Sequence, residues 1–204
     1  MDTKIKLKYF IYILSLLLMT GCGTSKPVNV KLTTSDLYIR PENILKKEVK
    51  ISFEELKIGP SIPSDNIIGR AKSGMFNVTT DLVVDEPTNI IVTKALKKGF
   101  EQAGFKIVDL KDANYIVQGS VEKFWGEEHA TGWSPEYAKA YVKYDLIIRK
   151  PNGITVWANT IEMFKVSRKS MDSTSLIIPT LTLALRDSVE SIFEDQSFWK
   201  AILK

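Results

Sequence analysis

Hydrophobic and polar positions alternate most cleanly in "YAKAYVKYDLIIRK", residues 137–150, where Ala138, Ala140, Val142, Tyr144, Leu146 and Ile148 share one side. A period of two sustained over that length predicts a long, half-buried strand. Pro151-Asn152-Gly153 follows, and Asn and Gly tolerate the positive φ that a tight hairpin needs, so "ITVWANTIEMFKV" is expected to return as the partner strand. Upstream, "ANYIVQGSVEKFW" sets Tyr115, Val117, Gly119 and Val121 on one face of a third long strand. Shorter strands are expected at Val49, Ile51 and Phe53, between Phe76 and Val84, and from Phe105 to Val108.

The period becomes helical twice. Pro87-Thr88-Asn89 offers helix-start chemistry, Val92, Leu96, Phe100 and Ala103 recur at helical spacing, and Gly104 is placed to end that helix. Near the C-terminus Leu181, Ala184, Leu185, Ser188, Val189 and Ile192 form a second apolar stripe, on a helix opening near Pro179. Phe198, Trp199, Ile202 and Leu203 predict one last short amphipathic helix. "KIGPSIPSDNIIGRAKSG" reads as a long loop, and Gly126–Pro135 as the loop between two long strands. The expected class is α+β: an antiparallel or mixed sheet of long meandering strands, packed against one central and one or two C-terminal helices.

The first residues follow another rule. Lys4, Lys6 and Lys8 precede a short apolar run from Tyr9 to Met19, the pattern of an export signal. That run is too short for a hydrocarbon core, which needs roughly 20 residues. Met19-Thr20-Gly21-Cys22 resembles the lipobox of bacterial lipoproteins, with Met19 where Leu is usual. The resemblance implies cleavage before Cys22 and acylation of that cysteine. The competing readings are an ordinary cleaved signal with a chance cysteine, or an uncleaved signal anchor. Two or more acyl chains would anchor stably, whereas one gives only marginal membrane binding. Gly23 stands where Asp would commonly signal inner-membrane retention, so an outer-membrane location facing the periplasm is expected. The domain reading is a signal peptide at 1–21, a lipidated N-terminus and flexible tether at 22–46, with a possible edge strand at Val28–Leu32, and one periplasmic domain at 47–204.

Charge alters the picture only slightly. The whole chain carries 28 basic and 24 acidic side chains, a net +4. Removing residues 1–21 takes three lysines and one aspartate, leaving +2 on 183 residues. No concentrated basic patch is visible, so no nucleic-acid partner is expected.

Ile68-Gly69-Arg70, "ALKKGFEQAGFKIV", "ANYIVQGSV", the "PNG" hairpin and "DSVESIFEDQSFWKAI" together resemble the YajG-like family of bacterial lipoproteins, over about residues 46–204 plus the lipobox. The helix–strand–hairpin order is also similar to the periplasmic domains of curli-secretion and penicillin-binding-protein-activator lipoproteins. Those latter relatives act by binding other envelope proteins without catalysis, while the YajG-like resemblance itself implies an outer-membrane lipoprotein of poorly defined role. It carries no catalytic residues over.

The residues themselves agree on the lack of enzyme motifs. There is no nucleophile elbow, Walker A loop, dinucleotide fingerprint or zinc-protease signature, so no catalytic residue, cofactor or metal is expected. Glu127-Glu128-His129 holds the only histidine and is expected on a solvated loop. Phe124, Trp125, Trp133, Tyr137, Tyr141 and Tyr144 cluster between residues 124 and 144. Tyr and Trp are enriched at binding hot spots and also stack on sugar rings. Trp125, Trp133 and Tyr137, with Arg70 in the early loop, are the candidate binding residues. Against that stands a plain packing role, Trp125 and Tyr144 covering the core and Arg70 lying on solvated surface. The functional expectation is a lipid-anchored, non-catalytic periplasmic adaptor that binds another envelope protein. The alternative is a glycan- or lipid-binding module, for peptidoglycan or lipopolysaccharide, using the 124–144 aromatics.

Cys22→Ser should abolish labelling by a palmitate analogue and block normal processing. Persisting label on that variant would remove the acylation site from Cys22.

Overall fold

The structure, a computed structural model, describes residues 26–203 apart from 33, 35, 36, 40, 42, 43, 46, 63, 74–77, 132, 133 and 169–175. Its strands are β1 (Val28–Asn29), β2 (Val49–Phe53), β3 (Lys57–Ile58), β4 (Ile67–Ser73), β5 (Val78–Val83), β6 (Phe105–Ile107), β7 (Tyr115–Thr131), β8 (Ser134–Arg149) and β9 (Thr155–Arg168). Its helices are α1 (Thr88–Gln102), α2 (Ile177–Glu194) and α3 (Gln196–Ile202). The strands form one mixed sheet, and the architecture is the expected α+β.

One edge of β7 pairs antiparallel with β8 along nearly its whole length, from Ile116 opposite Arg149 to Thr131 opposite Ser134. β9 continues the meander beyond β8, from Tyr137 opposite Arg168 to Arg149 opposite Thr155. The other edge of β7 is shared end to end by β2, β3 and β4, all parallel to it. β6 lies outside β2, β5 outside β4, and β1 outside β5. The positive φ of Gly104 (91°) and Gly153 (87°) falls at the two turns expected from sequence, just after α1 and in the 151–153 hairpin.

Three expectations are corrected. The Gly/Pro/Ser-rich stretch 57–74 is not one long loop, because β3 and β4 lie in it, laid along β7. β4 lacks apolar alternation because it approaches β7 backbone to backbone: a β-carbon on Gly69 would overlap the Gly126 carbonyl. Gly126–Pro135 is not a loop either, since β7 runs to Thr131 and β8 starts at Ser134. Part of the 22–46 stretch is packed rather than free. Val28 and Asn29 pair with β5, Leu37 and Ile39 are buried in the core, and the Ile39 N–H donates to Gln102 Oε1 at 3.0 Å.

The helices cover one face of the sheet. The expected inward row of β8 is fully buried, Ala138 to Ile148 being at most 1% exposed. The stripe of α2 from Leu181 to Ile192 lies against it, and Val92, Leu96 and Phe100 of α1 are buried in the same core, over β6 and β7 and beside α2. Phe100 joins the layers, its ring centroid 5.0–5.8 Å from those of Phe53, Phe105, Phe193 and Phe198. Such edge-on and tilted pairs add about 0.5–1.5 kcal/mol each beyond area burial. Thr88 Oγ1 and Asn89 Oδ1, buried at the start of α1, have no hydrogen-bond partner among the described residues, but other polar groups here are paired. Tyr144 donates to Ser188 Oγ at 3.2 Å, and Ser188 donates to the Leu185 carbonyl at 2.7 Å. Asp195 caps α3 by accepting from the Ser197 N–H at 2.7 Å, and its carboxylate also receives the Trp157 indole N–H at 3.0 Å. Burial alone would raise the Asp195 carboxyl, but those hydrogen bonds hold it below the usual range.

Leu185 is fully buried at the middle of α2. Leu185→Asp would bury a charge without a partner and should remove several kcal/mol of a typical roughly 5–15 kcal/mol stability. Thermal unfolding of the variant checks this, and an unmoved midpoint would mean that α2 does not pack as described.

Candidate functional site

The face of the sheet opposite the helices is shaped by a bulge. Val121 of β7 stands opposite Tyr144 of β8, but the next pair is Lys123 with Lys143, so Glu122 is the extra residue. Before it, Tyr115, Val117 and Val121 point toward the helices; after it, Phe124, Gly126 and Glu128 do. An inserted residue reverses the phase of a strand. Lys123, Trp125, Glu127 and His129 are thereby delivered to the open face. There they meet Tyr137, Lys139, Tyr141 and Lys143 of β8, and beyond these Glu162, Phe164, Val166 and Arg168 of β9.

The side chains on this face interleave rings and cations. Tyr141 lies between Trp125, its partner in the β7–β8 register, and Phe164, whose ring centroid is 4.7 Å away. Lys123 Nζ sits 4.1 Å from the Tyr141 ring centroid, and the Arg70 guanidinium 5.9 Å from that of Trp125. His129 stacks on Tyr137 with centroids 4.6 Å apart and planes 15° apart, while Lys139 Nζ lies 5.6 Å from the same tyrosine ring. Glu127 accepts from the Trp125 indole N–H at 3.3 Å, and Arg70 is held by Asp81 at 2.7 Å. Cation–ring contacts at exposed sites are worth about 0.5–1 kcal/mol each, so together they fix the ring orientations. Phe164 and Val166 are each 48% exposed, which leaves apolar surface free for contact. Beside the bulge a cleft of about 370 Å³ opens between the 61–67 segment and β7, with Ile62, Ile67, Lys123, Trp125 and Glu127 among its walls.

Three of the four residues proposed from sequence converge here. Arg70 lies over the Trp125 ring, and Tyr137 lies four residues along β8 from Tyr141 on the same face. Trp133 lies outside the described residues. Tyr144, by contrast, is a core residue. Lys123, Lys139, His129 and Phe164 were not anticipated. Phe164 had a legible signal, because it falls in the polar phase of β9, opposite to that of Trp157 and Ile161. Among the described residues no group of three or more His, Cys, Asp or Glu side chains is gathered as a metal site, and no helix is long and apolar enough to cross a membrane.

Glu127-Glu128-His129 is corrected from a solvated loop to the far part of β7. Glu128 faces the helix side at 6% exposure, opposite Ala138, and its carboxylate accepts from the Leu176 N–H at 2.9 Å, at the entry to α2. Burial pushes its carboxyl above the ordinary range, the Leu176 hydrogen bond offsetting this only in part.

No family model matches the chain, and no curated protein matches it in sequence. Solved structures share its fold. A DUF330 protein from Xanthomonas campestris superposes with a TM-score of 0.50 at 14% identity, covering 87% of this chain and 94% of that one. The structure of an uncharacterized protein gives a TM-score of 0.51 at 7% identity, over 84% of this chain and 98% of its own. A minor lipoprotein from Acinetobacter baumannii aligns at 12% identity over 74% of this chain and 94% of its own, with a TM-score of 0.42. At such identities the likeness is one of fold.

The raised Glu128 carboxyl has a pH signature. The folded chain holds this proton more tightly than the unfolded chain does, so the group's contribution to stability falls as pH rises through the interval above its unfolded value. Gln cannot titrate. The thermal midpoint of Glu128→Gln minus that of the parent should therefore increase from about pH 4 to about pH 8. A difference that stays flat with pH would show that Glu128 is not held in a desolvated site.

Proposed function

We propose that this chain is a lipid-anchored cell-envelope protein of the YajG-like kind, held by acyl chains on Cys22 at the outer membrane and facing the periplasm. It acts without catalysis, as an adaptor whose open sheet face binds another envelope protein. The anchor rests on the signal and lipobox pattern of residues 4–22. The binding role rests on one observation: the interleaved rings and cations of Trp125, Tyr141, Phe164, Tyr137, Lys123 and Arg70 on the face the helices leave open. Half-exposed aromatic anchors bordered by charges of both signs, Glu127 and Glu162 among them, match the composition of protein interfaces.

The row Trp125–Tyr141–Phe164 and its neighbouring cleft also favour a second reading, a glycan or lipid module. Protein is preferred because Lys123, Lys139 and Arg70 already cover ring faces on which a sugar would have to stack.

Trp125→Ala and Tyr141→Ala should each weaken capture of the partner from detergent extracts of the envelope by at least about tenfold, roughly 1.4 kcal/mol. Each should cost less than about 2 kcal/mol of fold stability, as expected for cross-strand pairs on an exposed face. Binding to pelleted peptidoglycan that follows the same substitutions would favour the glycan module. Undiminished capture by both variants would remove the open face from the proposal.

A further inference from the structure

β9 is the last strand of the sheet. β8 pairs with one of its edges, and among the described residues no strand pairs with the other. Its fourteen residues present an edge about 46 Å long. Natural proteins usually blunt such an edge with shortness, proline, a bulge or outward lysines. β9 contains no proline, and its one register shift sits at its start, between Ile148 and Arg149 of the partner strand. Its central charges are engaged within the chain, Glu162 with Lys143 at 3.4 Å and Lys165 with Asp187 at 2.5 Å. What remains is a long, unpaired edge of mixed polar and apolar residues, on which Phe164 and Val166 are the exposed apolar side chains.

We propose that this edge pairs antiparallel with β9 of a second copy of the chain, about a two-fold axis through Ile161 and perpendicular to the sheet. The strand's own sequence selects that occupant. Pairing about Ile161 sets Phe164 against the second copy's Ala158, Val166 against its Val156 and Thr160 against its Glu162. No like charges stand opposite one another, the exposed apolar residues meet small or apolar partners, and almost the full strand is used. Moving the axis one residue, to Glu162, would place two carboxylates in direct opposition, which is destabilising. Pairing about such an axis is isologous and closed, so it stops at two copies. It also keeps both helix layers on one side, making the two open faces one continuous surface. This inference does not depend on the proposed adaptor role.

The test uses the full chain carrying Cys22→Ser, which removes its only thiol. One preparation adds Thr160→Cys, another adds Glu162→Cys, and the two are mixed in detergent and oxidised. The mixture should yield at least about tenfold more disulfide dimer than either preparation alone, because directly opposed residues lie within disulfide reach and diagonal ones do not. Ala158→Lys with Val166→Lys, added to both preparations, should suppress that dimer while the thermal midpoint is retained. A mixture that gives no more cross-link than its components would overturn the pairing. So would cross-linking of these cysteines only to a different protein in crude membranes, or a dimer that persists undiminished with both lysines in place.

Discussion

Between Val121 and Lys123 the β7–β8 ladder gains one residue, and the side chains of β7 exchange faces there. Two contacts hold the insertion: Ser120 Oγ donates to Glu122 Oε1 at 2.6 Å, and the Gly59 N–H donates to the Val121 carbonyl at 2.8 Å. Had the strand kept its phase, Lys123 and Trp125 would point toward α2. The shift presents Gly126 to that helix instead, where Ile177 and Leu181 lie so near that a β-carbon would meet them. The same inserted residue thus lets α2 seat closely on the sheet and supplies the opposite face with its indole and its lysine.

The helix layer makes that face dependable. Phe100 and its four ring neighbours tie α1, α2, α3, β2 and β6 into one apolar body, and Trp157 ties β9 to the start of α3. A close-packed interior transmits little local slack to the strands above it. The rings on the open side are therefore carried on extended, hydrogen-bonded backbone rather than on loops, which would limit the ordering cost of a contact made there.

What could be read in advance follows from where side chains were under one demand only. Positions 138 to 148 of β8 alternate purely because every second residue meets the helices, and the α2 stripe is legible for the same reason. Gly104 and Gly153 stand out because few other residues accept a positive φ. β4 was hidden because its place beside β7 requires Gly69 to have no side chain, which erases alternation. β7 beyond residue 122 was hidden because the bulge breaks the period, and charged residues on the solvated face then mimic a loop. For the site, residue type pointed to Trp125, Tyr137 and Arg70. Their convergence with Lys123 and Phe164 depends on strand register, to which a single sequence gives no direct access.

The place of β1 in the sheet bears on how the body would hang from a bilayer. Val28 is already hydrogen-bonded into the sheet beside β5, and only five residues separate it from Cys22. At about 3.3–3.6 Å per residue that leash, fully extended, reaches on the order of 20 Å. With acyl chains on Cys22, the β1–β5 side would ride close over the headgroups, and in a β9-paired dimer the two such flanks would lie at opposite ends of one joined sheet. The joined sheet would then lie along the membrane, moored at both ends, rather than swinging freely above it.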